Sequence, residues 1–145
     1  MQVDFYQLTR DPAEAVIPAI AQRVLDGGDR LLIVGADQAE LDKISAALWN
    51  AKPESFLAHG KAGEGDESLQ PILLSEAVLP GNGAKMIALA DGRWRDEALA
   101  FGRVFYLFPP GKTEDARAAW RALSGKAGIE PRYWKQDGGR WRHGP

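Results

Sequence analysis

The chain has 145 residues, 45% of them hydrophobic and 26% charged, with a net charge of −2 and no cysteine. That is enough for one domain with its own core, without metal or disulfide support. Disulfides, thiolate metal sites, cysteine nucleophiles and thiol redox chemistry are excluded, and with only His59 and His143 as imidazoles neither a zinc site nor a cofactor is expected. The charge is uneven. Residues 101–145 hold nine Lys/Arg and four Asp/Glu (+5), leaving nine and sixteen (−7) for residues 1–100. The basic third fits either an anionic partner or a solvated helix face and tail.

VDFYQL (3–8) predicts a first strand. Asp11-Pro12-Ala13-Glu14 has the form of a capping box opening a helix, with Pro18 kinking it or marking its regular start. Gly27-Gly28 ends that helix. RLLIVG (30–35) is apolar throughout, as in a strand covered on both faces. Asp37 and Glu40 form a second capping box, and Leu41, Ile44 and Leu48 make the apolar stripe of a helix ending near Trp49.

Residues 50–69 read as a loop. PILLS (71–75), KMIALAD (85–91) and RVFYLF (103–108) read as strands, with a short helix or turn over 92–102. Thr113 is expected to cap a helix running to about Ala127, with Gly128 ending it. RYWKQ and RWR around Asp137-Gly138-Gly139 suit a terminal hairpin. Alternating strands and helices predict one α/β domain over residues 1–145: a mostly parallel, Rossmann-like sheet in a three-layer α/β/α arrangement.

Chemical motifs are weak. Gly111-Lys112-Thr113 resembles the end of a P-loop, but Tyr106 stands where the first glycine is required. Gly60–Gly65 lacks the dinucleotide pattern. No carboxylate spacing identifies an acid/base pair, and no serine has an elbow context. A ligand crevice at the carboxyl ends of the strands would suit an enzyme, but catalysis finds no positive support. No apolar run nears the roughly 18 residues of a membrane span, and the first residues lack a signal-peptide layout, so a cytoplasmic protein without membrane contact is expected.

Arg117 and Arg121 lie four apart on one helix face beside Trp120. This is either a receptor for a carboxylate next to an apolar side chain or a core tryptophan flanked by solvated arginines. RYWKQDGGRWR interleaves aromatics with bases, as in a single-stranded nucleic-acid surface or a charged edge hairpin.

Leu48-Trp49, Pro53-Glu54-Ser55-Phe56, His59 and Ala62-Gly63-Glu64-Gly65, in that order and spacing, resemble the chi subunit of bacterial DNA polymerase III holoenzyme. VDFYQL, DRLLIVG, the MIALAD to RVFYLFPP block and YWKQD extend the likeness over nearly the whole chain. The resemblance implies a non-catalytic α/β adaptor of the clamp-loader assembly. Its partners would be the acidic, hydrophobic-ended C-terminal tail of the single-stranded-DNA-binding protein and the psi subunit or a competing helicase-like protein. DNA would be contacted only indirectly. Allowing one extra residue before Gly128, Arg117, Trp120 and Arg121 match the family's tail-binding positions, with Phe108 lining the apolar part. Thr113 stands where some relatives carry a further lysine. Trp49, Pro53 and Phe56 match the surface used by psi or the helicase-like partner.

Overall fold

The computed structural model describes residues 1–51, 57–137 and 140–144. The chain runs β1 (Gln2–Gln7), α1 (Ala13–Asp26), β2 (Leu31–Val34), α2 (Gln38–Trp49), β3 (His59–Lys61), β4 (Ile72–Ser75), β5 (Met86–Leu89), β6 (Arg103–Phe108), α3 (Thr113–Leu123), β7 (Glu130–Asp137) and β8 (Arg140–His143). Among the described residues the strands form one eight-stranded sheet, ordered β3-β4-β2-β5-β6-β1-β7-β8. Neighbours are parallel throughout, except the antiparallel β7–β8 hairpin.

The apolar runs become strands because both faces are covered. Every residue of Leu31–Val34 is buried. Leu31 and Ile33 pack with Ile17, Ile20 and Val24 of α1 and with Leu41, Ile44 and Leu48 of α2. Leu32 and Val34 join the other apolar cluster, with Ala116, Ala119 and Leu123 of α3. The period of two in the strands thus divides the core.

Several expectations need correction. Asp11 does not cap α1: its Oδ2 accepts a 2.6 Å hydrogen bond from Gln136 Nε2, and the helix starts after Pro12 with no side-chain cap. Pro18 lies inside α1, removing the donor that would serve the Glu14 carbonyl. Asp37 does cap α2, accepting from Glu40 N at 2.9 Å. Residues 50–69 contain β3, a three-residue strand paired with β4. Its His-Gly-Lys sequence carries no strand signal, and pairing alone makes it one. α3 ends at Leu123 rather than Ala127, because Gly125 turns the chain at φ +92°. Thr113 is its first residue, not its cap, and donates through Oγ1 to Pro110 O at 2.8 Å. The short helix or turn expected over 92–102 is present as a 3-10 turn at Asp96–Ala100, whereas no α-helix lies between β4 and β5 or between β5 and β6 among the described residues.

Two buried polar anchors hold β1 and β7 in place. Asp4 is fully buried and accepts two bonds from Arg103, from Nε at 3.0 Å and Nη2 at 2.9 Å. It also accepts one from Trp134 Nε1 at 3.2 Å. Gln136 Oε1 accepts from three successive backbone N–H groups, those of Thr9, Arg10 and Asp11. These donors have no strand to pair with, so one side chain satisfies the turn between β1 and α1.

Glu40 is a third buried polar feature. Its Oε1 is buried with no hydrogen-bond partner among the described residues and sits against Gly35, where an added Cβ would lie 2.9 Å from it. Burial first, then the negative charges of Asp91, Asp37 and Glu14, push its carboxyl above the usual glutamate range. The folded chain therefore holds this proton more tightly than the unfolded chain. The contribution to stability is complete below the ordinary glutamate pKa and is lost as pH rises through the folded value. Glu40→Gln should gain stability relative to the parent as pH is raised from about 4 to 7. Urea melts across that range check this, and a constant difference would contradict it.

Candidate functional site

Strands β6 and β1 are neighbours, yet the chain leaves them in opposite directions. After β1 it crosses to β2; after β6 it passes through α3 to β7 on the far side. Such a divide is where α/β sheets usually place ligands. Beside it, between α3 and the strands β1 and β7, a hollow of about 400 Å³ is lined by Gln7, Thr113, Arg117, Trp120, Arg121, Tyr133 and Lys135.

Its floor is aromatic and fixed. Spacing of three and four residues puts Arg117, Trp120 and Arg121 on one face of α3. The Trp120 ring meets Phe5 of β1 edge-on at 5.1 Å and Tyr133 of β7 at 5.7 Å. Phe5 and Tyr133 stack at 6.4 Å, and the Tyr133 hydroxyl donates to Gln7 Oε1. A ring held on several sides has little rotamer freedom left to lose when a ligand arrives.

The rim is cationic. Arg117 reaches Glu114 at 3.3 Å, but both side chains are exposed, so the pair is weak. Among the described residues Arg121 and Lys135 form no ion pair. Burial raises the Tyr133 phenol while the Arg117 charge pulls it back; the net shift is upward, so the hydroxyl stays a donor at neutral pH. Three positive side chains around an apolar hollow can hold carboxylates beside a buried ring.

Phe108 is fully buried and outside this lining. It supports the hollow from behind, edge-on to Tyr133 at 6.1 Å. Trp120 both packs on the cluster holding Ala116 and Leu123 and lines the hollow. Gln7, Tyr133 and Lys135 were not foreseen. Tyr133 and Lys135 are two apart in RYWKQ, so in a strand they had to share a face; which face depended on where β7 joins the sheet.

The other candidate surface lies at the end of α2. Trp49 is 50% exposed and its ring lies 4.4 Å from that of His59. Pro53 and Phe56 fall outside the described residues. Both His59 nitrogens are engaged: Nδ1 donates to Leu57 O at 2.8 Å, and Nε2 faces Ser45 Oγ at 2.7 Å. That is a structural histidine. Gly111 and Lys112 sit in a 3-10 turn before α3, and Tyr106 is buried with its hydroxyl on Gly92 O, so no phosphate cradle forms there. Among the described residues no group of three or more His, Asp or Glu could hold a metal ion, and no helix is long and apolar enough to cross a membrane.

Residues 1–131 match the family model of the DNA polymerase III chi subunit, HolC. The chain belongs to this family. DNA polymerase III subunit chi of Escherichia coli (strain K12) is 32% identical over 75 residues, 47% of this chain and 51% of the relative. The chain thus spans about half the length of the curated relative it matches. Chi is an accessory, non-catalytic subunit of a replicative polymerase. In this chi-family chain the match ends at residue 131, so Tyr133 and Lys135 of the hollow lie beyond it.

Proposed function

We propose that this chain is a non-catalytic replisome adaptor in the cytoplasm that links the clamp-loader complex to the C-terminal tail of the single-stranded-DNA-binding protein. Residues 1–145 act as one Rossmann-like, three-layer chi domain. The tail's terminal ring enters the hollow over Trp120 and Tyr133. Its carboxylates meet Arg117, Arg121 and Lys135, with Phe108 stiffening the wall. The observation that carries this reading is the apolar hollow with three cations at its rim. Trp49, with Pro53 and Phe56, forms a separate interface for a psi-like or helicase-like partner, since an exposed large aromatic suits an anchor.

The tail is expected to bind in the micromolar range, about −8 kcal/mol. Titrating a fluorescent tail peptide should give such a Kd, weakening steeply with salt. Removing the terminal phenylalanine should abolish measurable binding; equal binding without it defeats the pocket assignment. In the same assay Trp49→Ala should leave the peptide Kd unchanged while a psi-like or helicase-like partner is lost.

The rival reading, direct binding of single-stranded nucleic acid, draws on the basic hairpin. It predicts oligonucleotide binding without any tail, abolished at Arg140 and Arg142 but not at Arg117 and Arg121.

A further inference from the structure

We propose that the β7–β8 hairpin carries a second anion subsite, which takes acidic residues preceding the terminal ring of the same peptide. This rests on the tail-binding reading above. Cross-strand partners share a face of the sheet. Lys135 stands opposite Arg142, and Asp137 opposite Arg140. Lys135 and Tyr133 line the α3-side hollow, so Arg142 and Asp137 face the same way.

Like charges placed directly opposite are unfavourable, and little in the chain offsets this pair. Asp137 reaches Arg142 at 3.4 Å with both side chains exposed, and Lys135 has no ion pair among the described residues. A second, smaller hollow of about 180 Å³ lies here, lined by Lys135, Gln136, Asp137, Arg142, His143 and Gly144. Lys135 belongs to both hollows. An extended chain that seats its ring over Trp120 passes Lys135 and reaches Arg142 with its preceding carboxylates.

The occupant is an acidic peptide rather than a nucleic acid strand. Single strands need rings on which bases stack. The hairpin's tryptophans are turned to the opposite face. Trp134 and Trp141 pack on the α1-side cluster. Trp134 Nε1 donates to Asp4, and Trp141 meets Tyr6 edge-on at 5.0 Å. The two tryptophans thus lie on the face away from Lys135 and Arg142, while Tyr133, on the same face as those bases, is already held by Trp120 and Gln7.

The test uses the whole chain and two synthetic peptides in fluorescence anisotropy. One carries a single Asp before a C-terminal Phe; the other is lengthened at its N-terminus by further Asp residues. The longer peptide should bind more tightly. Arg142→Ala should weaken the longer peptide about two- to fivefold, the range for exposed ion pairs, and leave the shorter unchanged. Asp137→Asn releases Arg142 and should tighten the longer peptide alone, a gain that misfolding would not produce. Equal affinity of the two peptides, or equal effects on both, overturns the hairpin subsite while leaving the first hollow intact. No binding of either peptide overturns the tail reading and this inference with it. Binding of an oligothymidylate that Arg142→Ala weakens, with no length effect in peptides, would give the hairpin to nucleic acid instead.

Discussion

Replacing Asp4 by alanine should lower the unfolding free energy by about 3 kcal/mol. Asp4 is fully buried and serves Arg103, Trp134 and Gln2. Without it, Arg103 keeps a charge beside a closed interior and the indole N–H of Trp134 loses its acceptor. The loss stays below the upper range for buried pairs because the Arg103 side chain is 36% exposed and water can take over part of the role. Arg103 also lies 4.7 Å over the Phe105 ring, so it cannot simply swing out without losing that contact. Urea denaturation is the measurement. Asp4→Leu combined with Arg103→Met should recover more than half of the loss, because removing both charges leaves no stranded partner. A single mutant that melts like the parent would mean the pair contributes nothing net.

Reversing both rim arginines, Arg117→Glu with Arg121→Glu, should eliminate tail-peptide binding. Each substitution to glutamate replaces attraction by repulsion toward the peptide carboxylates. Together they should cost about 3 kcal/mol, roughly a hundredfold in Kd. Fold stability should hardly change. Both side chains are outside the core, and the like-charge spacing along α3 is the same for glutamates as for arginines. Losing the exposed Glu114–Arg117 pair, setting a like charge beside Glu114 and placing an acid in the last turn each remove only a few tenths of a kcal/mol. The measurement is the peptide titration beside a thermal melt. A Kd within threefold of the parent, with the melt unchanged, would mean the peptide docks elsewhere.

Parts of this architecture were legible in the residues alone. β2, β4 and β6 announce themselves as uninterrupted apolar runs, which only a sheet covered on both faces needs. The α2 cap at Asp37 is local chemistry and was readable. So was the shared face of Arg117, Trp120 and Arg121, since helical spacing alone decides it; the family resemblance supplied what that face would hold.

What failed depended on distant partners. Asp11 looked like a cap, but Gln136, 125 positions away, claims its carboxylate. β3 has no apolar pattern and exists because β4 offers an edge. Tyr133 and Lys135 joined the hollow only because β7 docks beside β1 under α3. The alternation of rings and bases in the last stretch suggested one mixed surface. The pleat instead turns Trp134 and Trp141 to the α1 side and leaves Tyr133 with Lys135 and Arg142 on the α3 side.

The place of the first strand sets the order of assembly. β1 has only two neighbours, paired from Gln2 to Arg103 on one side and from Gln2 to Glu130 on the other. On a translating ribosome its apolar residues have no sheet to join until more than a hundred further residues have been made. At about 5–20 residues per second that is a wait on the order of 5–20 seconds. β4, β2 and β5 can zip together meanwhile, and the oldest segment then joins the open edge of β6 across a long loop. Because Gln7 and Phe5 belong to that segment, the α3-side hollow is completed by the earliest-made residues meeting some of the last, and a nascent chain stalled before β7 lacks it.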